Sequence, residues 1–316
     1  MMALINGWNA QPVAAPPEKA LAGTLCCLAG SDGGRLYALV DAAGNDQVLQ
    51  RLAATEACHQ SLFQGSDKER LFSVGAFLVA CDQDFALLQW LTTEAWGSGS
   101  VVFLTSSVHW DQLFQHLQRS LTAVTHDDRE VYFRYYDPRV LRDYLPLCPP
   151  AAAQRFLGPV TRMLAESEQG DALISFAVQD LGPGLPDHDP IWRQPLFLGA
   201  GHLQTFRQKA LAGFKQRLLR HLGRNFAAQI QSAGMDRQAL QRLVGDGLQR
   251  ARMYGMRSEF DVRRYVEYML LLSPDFDLDP AFAWAGRILF RCDLDGTRKM
   301  DQLDRAALFR LRGENA

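Results

Sequence analysis

In the first half of the chain, apolar residues arrive in short runs rich in Val, Phe, Tyr and Leu: RLYALVDA at 35–42, VGAFLVAC at 74–81, SVVFLTSS at 100–107, EVYFRYYD at 130–137 and ALISFAVQ at 172–179. Runs of this length and composition predict β-strands. Between them lie Gln47 to Ala57, Phe85 to Trp96, Trp110 to Val124 and about Ala151 to Ser167, where apolar positions recur at helical spacing. The alternation predicts an α/β fold whose N-terminal sheet is mixed or largely parallel and flanked by helices.

The pattern changes after GPGLPDHDP at 182–190, where five Gly and Pro residues interrupt any regular element. Beyond it the apolar positions are helical throughout. Phe206, Ala210, Phe214, Leu218, Leu222, Phe226 and Ile230 recur every four residues and predict one packing ridge. Asp236 is placed to cap the next helix and Gly255 to end it, while Ser258 and Asp261 form an S-x-x-D box before Val262 and Tyr265. Asp279 and Pro280 open a further helix, and a last one is predicted from about Met300 to Leu311. These signals divide the chain into a loosely ordered lead-in (1–30), an α/β domain (31–185) and an all-helical C-terminal domain (186–316).

Charge sharpens the division. The net charge is −2, but residues 201–316 hold 20 Lys/Arg against 13 Asp/Glu, a balance of +7, and the rest holds 13 against 22, a balance of −9. Residues 201–260 alone carry 11 Lys/Arg and three Asp/Glu. Such a surface is either an ordinary solvated helical face or a docking face for an acidic protein. No apolar run approaches the roughly 20 residues that span a bilayer, so no membrane association is expected. The N-terminal residues carry no basic cluster followed by an apolar core, and the six cysteines include no CxxC pair. Both point to a cytoplasmic protein.

Motifs that carry chemistry are missing from the sequence. There is no G-x-S-x-G, Walker loop, G-x-G-x-x-G or H-E-x-x-H. Asp275, Asp277 and Asp279 alternate as in a calcium loop, yet Pro280 and Gly286 stand where that loop needs its Gly and its bidentate Glu. Helix capping accounts for these aspartates, and Asp293 and Asp295 read as an exposed turn. His109 and His116 lie two helical turns apart, about 10 Å by helix rise, too far for one ion. No cofactor, no metal and no catalytic residue is expected.

RLYALVDAA (35–43), SLFQGSDKERLFSVGAFLVA (61–80) and above all VYFRYYDPRVLRDYLP (131–146) resemble the adaptor chaperones of bacterial type VI secretion. The stretch from MYGMRSEFD (253–261) through FDLDPAFAWAGRILF (276–290) is similar to the tail of that family. The resemblance implies a chaperone that binds the N-terminal region of a cognate toxic effector and brings it to the C-terminal region of a VgrG spike protein, without covalent chemistry. Within the most specific stretch, Asp137 is placed to cap a helix that Pro138 begins. Arg134 and Arg139 flank the turn, ready either to pair with Asp137 or to meet a partner carboxylate or carbonyl. The expected partner-binding residues are Arg134, Tyr136, Asp137, Arg139 and Arg142. Two other readings are weighed beside this one. An enzyme could use carboxylates such as Asp41 or Asp137 in an unmarked cleft, and a regulator could bind nucleic acid through the basic helices. A nucleic-acid partner is not expected, because no helix-turn-helix, zinc signature or patterned aromatic platform accompanies the basic charge.

Overall fold

The computed structural model describes residues 13–14, 18–44, 46–63, 75–177 and 195–311. The chain divides into two compact units, Met1–Phe206 and Arg207–Ala316.

The first unit runs β1 (Val13–Ala14), α1 (Glu18–Ser31), β2 (Arg35–Asp41), α2 (Asp46–Ala54), β3 (His59–Ser61), β4 (Ala76–Ala80), α3 (Phe85–Trp90) and β5 (Val101–Ser106). It continues with α4 (Trp110–Arg119), β6 (Thr122–Thr125), β7 (Glu130–Tyr132), α5 (Pro138–Tyr144), α6 (Pro150–Leu157), β8 (Arg162–Glu166), β9 (Ala172–Ala177) and β10 (Leu196–Leu198). Among the described residues, seven strands form one sheet in the order β1-β9-β8-β5-β2-β4-β3, and β10-β6-β7 form a second.

Every pairing in the large sheet is antiparallel, which corrects the expectation of a mixed or largely parallel sheet. The source of the error is visible in β2. It lies between β4 and β5 and is antiparallel to both. The β4-α3-β5 unit therefore does join two strands of the same direction, but across an intervening strand. Burial on both faces completes the disguise. Leu36, Ala38 and Val40 enter one core with Leu21 and Leu25 of α1 and Leu87 and Leu88 of α3. Tyr37 and Leu39 enter another with Leu113 of α4, Tyr144 of α5 and Phe156 of α6. A sheet covered on both faces has continuous apolar strands, the signature ordinarily associated with parallel sheets.

Three further expectations change. Residues 18–30, expected within the lead-in, form α1 together with Ser31, and its Leu21, Ala22, Leu25 and Ala29 are buried in the core. The predicted strand at 130–137 ends at Tyr132; Phe133, Tyr135 and Tyr136 instead fold inward as buried aromatic rings. The unit boundary lies at Phe206 and Arg207, not near 185. Here β10 returns to pair in parallel with β6, Leu196 opposite Ala123, and buries Leu196 and Leu198 in the core of the first unit. The Gly/Pro-rich stretch at 182–190 and the segment at 64–74 lie outside the described residues.

The second unit is helical: the greater part of α7 (Ala200–Asn225), then α8 (Ala227–Ser232), α9 (Arg237–Met253), α10 (Glu259–Leu271), α11 (Ala283–Leu289) and α12 (Gly296–Leu311). The expected ridge is interrupted, because Phe226 leaves helical geometry at φ −126° and ψ 26°. Phe214, Leu218 and Leu222 hold to it and are buried. Asp236 and Ser258 cap α9 and α10 through the Ala239 and Asp261 amides, and Gly255 takes φ +84° after α9. A Cβ on Gly247 would stand 2.6 Å from Val266 Cγ2, so glycine permits the close approach of α9 to α10. Of the three alternating aspartates, Asp279 is a cap, accepting from the Ala281 amide. Asp277 is instead a buried hub that accepts from Tyr254 Oη (2.7 Å), Tyr265 Oη (2.8 Å) and Arg250 Nη1 (3.0 Å).

Candidate functional site

The five expected site residues come together at one end of the large sheet of the first unit. The turn after β7 carries Arg134 and Tyr136, and α5 begins at once with Asp137 as its cap and Pro138 as its first residue. Asp137 Oδ1 accepts from the Arg139 amide at 2.9 Å, and the same carboxylate takes the Arg139 guanidinium in a fork, Nε at 2.8 Å and Nη2 at 2.7 Å. The cap and the ion pair are thus one carboxylate, as an Asp-Pro-Arg sequence allows: proline offers no amide, and the next residue supplies both the backbone and the side-chain donors.

Arg134 does not pair with Asp137. Its Nη2 donates to Asp41 Oδ2 at the end of β2, while Asp41 Oδ1 accepts the Ala43 amide at 3.0 Å. The Arg134 guanidinium also lies 5.6 Å from the centre of the Tyr136 ring. Tyr136 itself is buried, so it supports the arginine and presents little surface of its own. Arg142 donates to the backbone carbonyl of Glu166 at the end of β8. The Glu166 carboxylate is buried and accepts the Gly97 amide from the turn before β5. Burial raises its pKa against the opposing pull of the Gly97 amide and the Arg142 charge.

Sequence reasoning missed Glu166 as a member of this site and Asp41 as the partner of Arg134. The signal for both is an acidic residue closing an otherwise apolar strand, where the last side chain leaves the core and needs a cation. The arrangement alternates three carboxylates, Asp41, Asp137 and Glu166, with three arginines. The carboxylates are inside and the arginines outside: in the two ion pairs, the Asp41 and Asp137 side chains are 6% and 8% exposed, those of Arg134 and Arg139 48% and 65%. Held from behind in this way, the exposed Arg134 and Arg139 guanidinium groups are fixed in orientation and keep N–H donors that are not used by Asp41 or Asp137.

A second place with polar chemistry is a cavity of about 590 Å³ lined in part by Tyr144, Cys148, Leu196, Phe197 and His202. Cys148 Sγ is 3.7 Å from His202 Nε2, a separation that suggests a nucleophile and its base. Burial, however, pushes the thiol up to about 12 against the Tyr144 hydrogen bond and lowers the His202 imidazole against its hydrogen bond to the Tyr144 backbone carbonyl. The pair rests neutral, and a neutral thiol is a poor nucleophile. Among the described residues, no three His, Cys, Asp or Glu side chains gather as a metal would require, and no helix is long and apolar enough to cross a membrane.

Comparison with curated proteins and with solved structures returns no match. Residues 36–155 match the family described as domain of unknown function DUF4123. The match takes in β2 through most of α6, and with them Asp41 and the whole Arg134–Arg142 segment. The chain therefore carries, over residues 36–155, a DUF4123 domain, the domain of the type VI secretion effector adaptor and chaperone family.

Proposed function

We propose that the protein is a cytoplasmic adaptor chaperone of type VI secretion that binds the N-terminal region of one cognate effector and brings it to the C-terminal region of a VgrG spike protein. The observation that carries the reading is the DUF4123 match, which encloses the arginine-bearing turn at Arg134–Arg142. Binding requires no covalent step. Arg134 and Arg139 of that turn are held from beneath by the buried carboxylates of Asp41 and Asp137 and face outward, which suits them to polar recognition of a folded client. A chaperone that binds only the folded client stabilises it in proportion to the logarithm of its own free concentration over the dissociation constant.

The test is affinity capture of the tagged full-length chain from its native lysate, followed by mass spectrometry, at moderate salt. One effector and a VgrG protein captured together, and lost together when Arg139 is reversed to Glu, is the expected result. Absence of both, in cells that express both, overturns the proposal.

A further inference from the structure

The helical unit carries an open groove of about 820 Å³. Its floor is apolar, built from Ala210, Leu211 and Phe214 of α7, Leu248 of α9, and Met256 and Val262 around the start of α10. Its rim carries Arg207, Arg252 and Arg257, all exposed. Among the described residues, none of the three has a carboxylate within ion-pair distance. The one acidic residue lining the groove, Glu259, is already taken by Arg217, whose Nη2 reaches both of its carboxylate oxygens at 2.8 Å.

A smaller cavity of about 330 Å³ shares Phe214 and Glu259 with the first and continues along α7 past Leu218 to His221. From Arg207 to His221 the path follows about 21 Å of helix axis, at 1.5 Å per residue, or four turns of a docked helix. The unit that holds the groove carries 20 Lys/Arg and 13 Asp/Glu, so the field over the groove is positive as well as its rim.

We infer that this groove is the docking site for an acidic amphipathic helix of a partner protein, which lays its apolar stripe along the floor and its Asp and Glu side chains against Arg207, Arg252 and Arg257. A furrow between helices accepts a third helix by fitting ridges into grooves, with anchors at i, i+3, i+4 and i+7. The rim arginines supply fork-shaped donors suited to carboxylates. Nucleic acid fits less well, because the aromatic ring of the floor, Phe214, is buried, and the exposed aromatic nearby, Phe260, has the Arg263 and Arg264 guanidinium groups 5.1 Å from its ring centre in place of an open stacking face. The groove lies outside residues 36–155, so this inference stands on its own observations and survives if the adaptor reading fails.

The test selects from a displayed library of 14-residue helices, with random residues at the exposed positions, against the full-length chain. Each selected helix is then measured against the triple variant R207E/R252E/R257E. The expected result is enrichment of helices with an apolar stripe flanked by Asp and Glu. Their affinity should fall with salt and be about tenfold or more weaker for the triple variant, as for the loss of several rim charges. Circular dichroism must show the variant folded; if its melting temperature drops, Arg252→Ala and Arg257→Ala replace it, each expected to weaken binding about threefold. Failure to enrich any helix, enrichment of neutral or basic helices, or binding unchanged in the folded variants overturns the inference. So does binding of a random DNA duplex that the triple variant loses while the selected helices bind as before.

Discussion

Arg134 and Asp41 are 93 positions apart in sequence and joined by a hydrogen-bonded ion pair that ties the turn after β7 to the end of β2. The carboxylate is buried and the guanidinium half exposed, so the two partners are not equivalent. Removing the arginine strands a buried charge, whereas removing the aspartate frees an arginine that water can reach. Arg134→Ala is expected to destabilise the first unit by about 1–3 kcal/mol, Asp41→Asn by less, and urea unfolding followed by circular dichroism distinguishes them. Equal losses would mean that Asp41 is better hydrated than its burial implies.

Arg139 is the more exposed of the two arginines, its side chain 65% exposed, but that of its partner Asp137 is only 8% exposed. Arg139→Ala therefore strands a buried carboxylate, as Arg134→Ala does, and is expected to cost about 1–3 kcal/mol. Arg139→Lys keeps a cation beside Asp137 and should hold the melting temperature closer to that of the unsubstituted protein while weakening capture of the client, because the guanidinium fork is lost. Asp137→Ala, in contrast, removes the cap of α5 together with the ion pair and should cost about 1–2 kcal/mol. Asp137→Asn retains the cap and should recover most of that loss in the same unfolding measurement.

Acid stability depends on Asp32. Arg162 reaches it with Nε and Nη2, both at 2.9 Å, and Thr105 Oγ1 donates at 2.7 Å. Burial raises this carboxyl, but the Arg162 and Thr105 hydrogen bonds and the Arg162 charge outweigh burial and hold it below its ordinary value of 3.8. A depressed native pKa stabilises the fold above the unfolded value, and that contribution disappears as pH falls through the native one. Asp32→Asn should therefore destabilise the protein at pH 7, by about 3–5 kcal/mol for a broken buried pair. The gap to the unsubstituted protein should close below about pH 3.8. Melting curves from pH 7 to pH 2 check both the sign and the window.

In the helical unit, Asp277→Ala leaves the Tyr254 and Tyr265 hydroxyls and one Arg250 donor without their acceptor. A loss of about 3–5 kcal/mol is expected. Gly247→Ala is expected to cost about 1–3 kcal/mol by overpacking, since the new methyl would meet Val266 and Met269 Sδ. Chemical denaturation of the two variants, read by circular dichroism, measures each loss.

The sequence made some elements plain and hid others for physical reasons. β2, β4 and β5 lie where their apolar runs predicted them, because burial on both faces makes a strand dense in apolar residues. The same density concealed strand direction, which no local pattern encodes once both faces are dry. EVYFRYYD misled for a related reason. Phe133 and Tyr135 carry strand-forming side chains, but their rings close a cluster with Tyr144 and Phe156 at centroid separations of 4.7–6.2 Å. Burial of those rings, rather than a ladder of backbone bonds, decides their conformation. The Asp137-Pro138-Arg139 cap was legible because it needs only adjacent residues. The partners of Arg134 and Arg142 were not, because they arrive from β2 and β8.

The two-sided burial of the large sheet also bears on how the chain finds its alignment. In most antiparallel sheets a strand displaced by one residue turns oil toward water, and that penalty rejects the error. Here a one-residue slip of β2 would exchange Leu36, Ala38 and Val40 for Tyr37 and Leu39 and leave an apolar surface on each side. Charge supplies the missing discrimination. Asp32, Arg162 and Thr105 meet at one end of the central strands, and Asp41 and Arg134 meet at the other. A slipped sheet would leave these groups facing the wrong neighbours. They act as alignment marks on an interior that has none of its own, and a chain stripped of them would be expected to populate several closely spaced packings before it populated the unfolded state.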